Sequence, residues 1–143
     1  MGIPVILVIE DNFADVALLR LALDELGTAY RLEILRDGES ALLYIADHRA
    51  GRREAVPCVI LLDLHLPKYS GVEVLHSIRQ DPVLTDVHVM VLTSLADPRQ
   101  QVDIRTSGAL LRLKPSNLEG FSLLAAEIME ICKNSRSSGP THR

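Results

Sequence analysis

The chain has 143 residues with 15 basic and 19 acidic side chains, a net charge of -4 and a pI near 5.7. That length suits one domain burying roughly two-thirds of its unfolded surface, and the charge gives no basic field for nucleic acid. No apolar stretch approaches the roughly 18 residues of a membrane span and no signal-peptide pattern opens the chain, so a cytoplasmic domain is expected.

The first predicted strand is Val5 to Ile9, an unbroken apolar run that ends in Glu10-Asp11. A helix is predicted from an Asn12 cap to Gly27, with Val16, Leu19, Ala22, Leu23 and Leu26 as its apolar stripe. A second strand, Arg31 to Leu35, precedes a helix capped by Asp37 that buries Ala41, Leu42 and Ile45. The following connection, Arg49 to Pro57, is longer than its neighbours and carries Arg49, Arg52 and Arg53; it reads as a solvated loop, with a partner contact as the alternative.

The third strand, Cys58 to Leu62, delivers Asp63 to its tip. The third helix, Val72 to Gln80, stops at Asp81-Pro82, because the residue before proline disfavours the α region. A fourth strand, Val87 to Leu92, ends in Thr93-Ser94, and Asp97-Pro98-Arg99-Gln100 starts the fourth helix with a capping aspartate and a proline at the first helical position. A fifth strand, Leu110 to Leu113, ends in Lys114-Pro115, and Ser116-Asn117-Leu118-Glu119 reads as a capping box for the last helix. Residues 1–133 are therefore expected to fold as the domain and 134–143 to fray as a tail. Cys58 and Cys132 are expected to be buried free thiols. His48, His76, His88 and His142 lack metal-ligand spacing and are expected to be surface or half-buried groups.

Apolar strands alternating with helices predict an α/β fold with a parallel sheet covered on both faces. Ligands of such sheets bind beyond the carboxyl ends of the strands. There the sequence places three carboxylates, a hydroxyl and an ammonium. Carboxylates crowded together repel unless a cation neutralises them, and a hard divalent ion such as magnesium accepts oxygen ligands.

Glu10-Asp11, Asp63 with Leu66-Pro67 and Gly71 behind it, Thr93-Ser94 and Lys114-Pro115 together resemble the receiver domain of two-component response regulators. The resemblance spans about Pro4 to Lys133. It implies a doubly wound, flavodoxin-like (βα)5 fold with strand order 2-1-3-4-5. It also implies that Asp63 accepts a phosphoryl group from a sensor histidine kinase and that Mg2+ is held by Glu10, Asp11, Asp63 and the backbone carbonyl of His65. Thr93 would take a phosphoryl oxygen, and Lys114 would pair with Asp63 before transfer and with the phosphoryl group after it. The Lys114-Pro115 bond would be cis. Receivers are not enzymes in the usual sense, since they promote only their own phosphorylation and dephosphorylation.

The stretch from Leu62 to Lys68 and the opening Glu10 to Asp15 further resemble stand-alone regulators paired with phytochrome-type sensor kinases. Output would then pass by protein contact or onward to a phosphotransfer protein. One position departs from the pattern: Leu111 stands where receivers carry Tyr or Phe, so the aromatic half of their usual switch is missing. The last helix has an apolar stripe wider than one sheet face needs, through Leu123, Ala126 and Met129, which points to a homodimer through the fourth helix, fifth strand and fifth helix.

Two readings from other classes remain: a flavodoxin-like cofactor protein would share the fold, and an aspartate-nucleophile phosphatase would share the acyl-phosphate chemistry. A flavodoxin-like cofactor protein needs a hydroxyl- and glycine-rich loop after the first strand, which Glu10-Asp11-Asn12-Phe13 is not. An aspartate-nucleophile phosphatase places its nucleophile after the first strand with a second carboxylate two residues on, where this chain has His65 after Asp63.

Overall fold

A computed structural model describes residues 2–53, 55–94 and 98–138, without the side chains of residue 98 and residues 136–138. The elements are β1 (Val5–Ile9), α1 (Phe13–Glu25), β2 (Arg31–Leu35), α2 (Gly38–Arg49), β3 (Val59–Asp63), α3 (Gly71–Gln80), a 3-10 turn (Leu84–Asp86), β4 (His88–Thr93), α4 (Pro98–Thr106), β5 (Leu110–Leu113) and α5 (Leu118–Ser138). The five strands are parallel in the order β2-β1-β3-β4-β5.

Side chains alternate between the faces of a strand, and this partition builds two cores. Ile6, Val8, Leu61, Met90 and Leu92 face α1 and α5, meeting Leu19, Leu23, Phe121, Leu124 and Ile128. Leu7, Ile9, Ile60, Leu62, Val89 and Val91 face the other way, onto Ala41, Ile45, Val74, Leu75, Ile78 and Ile104 of α2, α3 and α4. All five residues of β3 are buried, as a central strand covered on both faces requires.

Local signals place most boundaries. Asn12 caps α1 by accepting the Asp15 N–H at 3.1 Å, and Asp37 caps α2 by accepting the Ser40 N–H at 2.7 Å. Gly27, at φ +74°, follows α1 in the left-handed conformation that favours glycine. Ser70 and Glu73 form a reciprocal capping box on α3. On α5 the cap is Asn117 rather than Ser116: its side chain accepts the Gly120 N–H at 2.8 Å. The expected Asp97 cap of α4 lies outside the described residues. α5 continues to Ser138, past the Asn134 at which the sequence places the start of a tail; residues 139–143 lie outside the described residues.

Three sequence expectations are corrected. Cys58 and Cys132 are joined by a disulfide, their Cα atoms 5.0 Å apart. They are separated by 74 residues in sequence, yet both belong to the core between the sheet and α5, and their Cα separation lies in the range a bridge can span. No cis peptide bond occurs among the described residues, so Lys114-Pro115 is trans. Trans is the ordinary preference of such bonds. Pro115 lies so close to Gly120 that a Cβ at 120 would come within 2.8 Å of it, so a glycine in the first turn of α5 makes room for the ring. The long Arg49 to Pro57 connection is anchored to the domain: Arg53 pairs with Glu33 and covers the Tyr44 ring at 4.3 Å, and His48, 8 % exposed, meets the Ala55 carbonyl at 3.0 Å.

Asp81, 1 % exposed, ties the end of α3 to the 3-10 turn. Its Oδ2 accepts the Val83 and Leu84 N–H groups at 3.1 and 2.9 Å, and Oδ1 faces the Arg49 Nε at 3.5 Å. Burial works to raise its pKa, but these N–H groups and Arg49 outweigh it and hold the carboxyl below its usual range. Asp81→Ala is expected to cost about 1–2 kcal/mol, the loss of a capping carboxylate with two N–H donors left behind. Because the folded pKa is the lower one, this stabilisation is complete above the ordinary aspartate range and disappears as pH falls through the folded value. The Tm gap between parent and variant should be level near neutrality and close below about pH 4.

Candidate functional site

Strand order reverses between β1 and β3, and the site lies beyond the carboxyl ends of these two strands. β1 runs straight into Glu10 and Asp11, and the Glu10 N–H is fixed by the Leu35 carbonyl at 2.9 Å. β3 ends on Asp63 itself, which the sequence places one residue beyond the strand. Asp63 then opens the β3–α3 turn: its Oδ1 accepts the His65 N–H at 3.1 Å, the Leu64 N–H donates to Leu92 and the Gly71 N–H donates to Leu64. The turn is held on its outer side as well. Gly38 donates its N–H to the Pro67 carbonyl at 3.1 Å, and Lys68, at φ +73°, pairs with Glu39 at 2.8 Å and Asp37 at 4.0 Å.

Glu10 and Asp63 are 5 % and 6 % exposed, Thr93 is 2 % exposed, and Asp11 is open to solvent. Glu10, Asp11 and Asp63 each offer an oxygen within 4.8 Å of the others. This all-oxygen set fits a hard divalent cation, and exposed Asp11 leaves an open side for water or a substrate oxygen.

Lys114 enters from the other side. β4 and β5 fix it through the Lys114 N–H to Thr93 carbonyl bond of 2.9 Å. Its Nζ is 2.9 Å from Glu10 Oε1, 2.8 Å from Asp15 Oδ2 and 3.5 Å from Asp63 Oδ2. Burial works to lower the Lys114 pKa, but the hydrogen bonds to Asp15 and Glu10 and the charges of Glu10 and Asp63 overcome it and the pKa rises, keeping the ammonium charged. Glu10 is pushed up to about 7, first by burial and then by the charge of Asp63, against the pull of Lys114 and the Asn12 N–H. One ammonium among three carboxylates leaves negative charge uncompensated, and a cation at Glu10, Asp11 and Asp63 would offset it.

The structure thus brings Glu10, Asp11, Asp63, His65, Thr93 and Lys114 to one edge of the sheet. Leu111 lies three residues before Lys114, half-buried against the core that faces α2, α3 and α4. Asp15 was not expected there. In sequence it reads only as an acid in the first turn of a helix, where the dipole favours it; its spacing after Glu10-Asp11 was the available signal.

The response regulator receiver domain model matches residues 6–119, which is most of the chain and includes every residue of this site. The chain belongs to the response regulator receiver domain family. Among its relatives, the probable methanogenesis regulatory protein FilR2 of Methanothrix harundinacea is 38 % identical over 140 residues, covering 95 % of this chain and 88 % of that protein. The response regulator Rcp1 of Synechocystis is 41 % identical over 90 residues, covering 63 % of this chain and 61 % of that one. Of solved receivers, the phosphorylated cyanobacterial phytochrome response regulator RcpA superimposes with a TM-score of 0.82 at 29 % identity, covering 94 % of this chain and 96 % of that one. The Mn2+-bound form of Rcp1 superimposes with a TM-score of 0.77 at 32 % identity, covering 89 % and 92 %. The receiver fold, with its strand order, is therefore shared with regulators of phytochrome systems.

Proposed function

We propose that this receiver accepts a phosphoryl group on Asp63 from the phosphohistidine of a sensor kinase of the phytochrome type, in a reaction that needs Mg2+. The observation that carries the proposal is the convergence of Glu10, Asp11 and Asp63 within 4.8 Å of one another with the Lys114 ammonium beside them. Glu10, Asp11, Asp63 and the His65 carbonyl would hold the ion. When bound, the cation neutralises these acids and draws charge from a phosphoryl oxygen.

Asp63, with Lys114 beside it, would act as nucleophile. A carboxylate oxygen of Asp63 attacks phosphorus in line, the P–N bond to the kinase histidine breaks, and the electron pair leaves with the imidazole. Thr93 and Lys114 donate to phosphoryl oxygens as charge gathers there. The Mn2+-bound Rcp1 and phosphorylated RcpA neighbours support a divalent ion and phosphorylation in proteins of this kind. The test is intact mass after incubation with acetyl phosphate and Mg2+. The parent should gain one phosphoryl group and Asp63→Asn none; an unchanged parent, or labelling retained in the variant, overturns the assignment.

We assign residues 1–133 to the receiver domain, since Cys132 is the last buried residue of α5 among those described, and place it in the cytoplasm. No helix among the described residues is long and apolar enough to cross a membrane. Output passes by protein contact or onward phosphotransfer, and a homodimer through α4, β5 and α5 provides the contact. Val102, Leu113 and Leu123 of these three elements are 63 %, 76 % and 73 % exposed, which is costly for a monomer. Sedimentation at tens of micromolar, by order-of-magnitude affinity reasoning, should give a dimer, and Leu113→Lys with Leu123→Lys a monomer.

A further inference from the structure

Lys114 has two partners closer than the residue it is expected to serve. Its Nζ lies 2.8 Å from Asp15 and 2.9 Å from Glu10, but 3.5 Å from Asp63. Glu10 also belongs to the oxygen cluster that would hold the cation, whereas Asp15 does not. Asp15 sits in the first turn of α1, positioned by its own N–H donating to the Asn12 cap at 3.1 Å, and its side chain is 20 % exposed. α1 packs directly along α5, on the same sheet face, so this carboxylate is presented to the end of β5 by rigid elements.

An ammonium has three donors in compact geometry. Here each of its three carboxylate neighbours lies within ion-pair distance, so a phosphoryl oxygen can gain Lys114 only if one of them gives it up. From this geometry we infer that Asp15 is a positioning residue for Lys114. It holds the ammonium on the α1 side of the cleft at rest and competes with the phosphoryl group for it. This inference rests on the phosphoryl-acceptor reading of Asp63. Asp15 thereby sets how strongly the site favours the phosphoryl-bound state, without touching metal or phosphoryl group.

Beryllofluoride, a stable mimic of the phosphoryl group, tests this at equilibrium in the presence of Mg2+. Asp15→Ala removes the competitor and should tighten beryllofluoride binding about fivefold, the scale of one partly exposed charged hydrogen bond. Asp15→Glu, which keeps the carboxylate, should bind as the parent does. A crystal structure of Asp15→Ala supplies a second readout: Lys114 Nζ should close from 3.5 Å to ordinary hydrogen-bond distance of Asp63 Oδ2. A merely structural role would lower Tm but move neither value. Unchanged or weaker beryllofluoride binding in Asp15→Ala, or a Lys114 that stays where it is, overturns the inference while the acceptor reading stands. A parent that binds no beryllofluoride and gains no phosphoryl mass overturns both.

Discussion

Lys114→Ala is expected to slow phosphoryl transfer to Asp63 by about 10²–10³-fold, the usual effect of removing one preorganised donor from developing oxyanion charge. The Lys114 side chain is 18 % exposed and its ammonium is held by carboxylates from the residue after β1, from α1 and from the end of β3. Initial rates with acetyl phosphate, followed by intact mass, measure this. Above neutral pH, where Glu10 is ionised, the same variant should bind Mg2+ more tightly than the parent, because Glu10 and Asp63 lose the cation that competes for their oxygens. A rate within threefold of the parent's would remove Lys114 from the reaction. Lys114→Arg should recover little, since a planar fork does not fit a point surrounded by three carboxylates as a compact ammonium does.

Gly71→Ala is expected to disrupt the turn that carries the acceptor carboxylate. A Cβ at 71 would stand 2.7 Å from the Asp63 carbonyl oxygen, 2.8 Å from Leu64 Cα and 2.9 Å from the Leu64 carbonyl oxygen, all backbone atoms that cannot rotate away. The β3–α3 turn must open to admit it, breaking the 3.0 Å bond from the Gly71 N–H to Leu64. About 2–4 kcal/mol should be lost, in the upper range for overpacking, and the acceptor carboxylate should lose its registration with Lys114. Gly27→Ala is the control. It has a strained φ of +74° but nothing within 4 Å, so it should cost about 1–2 kcal/mol of backbone strain and leave phosphorylation untouched. Thermal unfolding and phosphorylation rates of the two variants separate these effects; equal losses in both would show that the close approach at Gly71 is relieved elsewhere.

Much of this arrangement was legible in the residues. Val59 to Leu62 and Val89 to Leu92 are near-continuous apolar runs because a central parallel strand is covered on both faces, and chemistry at the carboxyl ends follows from that topology. The sheet order came from the family resemblance, since periodicity does not say which strands are neighbours. What stayed hidden depended on packing between distant segments. Cys58 and Cys132 meet because α5 crosses the same sheet face on which β3 begins. Asp15 reaches Lys114 because α1 and α5 lie side by side. Neither contact follows from local spacing.

The disulfide lies at the opposite end of the sheet from the carboxylates, since Cys58 precedes Asp63 by five residues, about 16 Å along a strand. α5 is therefore anchored covalently near its far end, while its first turn follows directly from Lys114 and Pro115. A rod fixed at one end responds to a push at the other by pivoting rather than by sliding. Displacement of Lys114 would be delivered to α5 as a change of tilt, largest at its first turn beginning at Leu118 and vanishing toward Cys132.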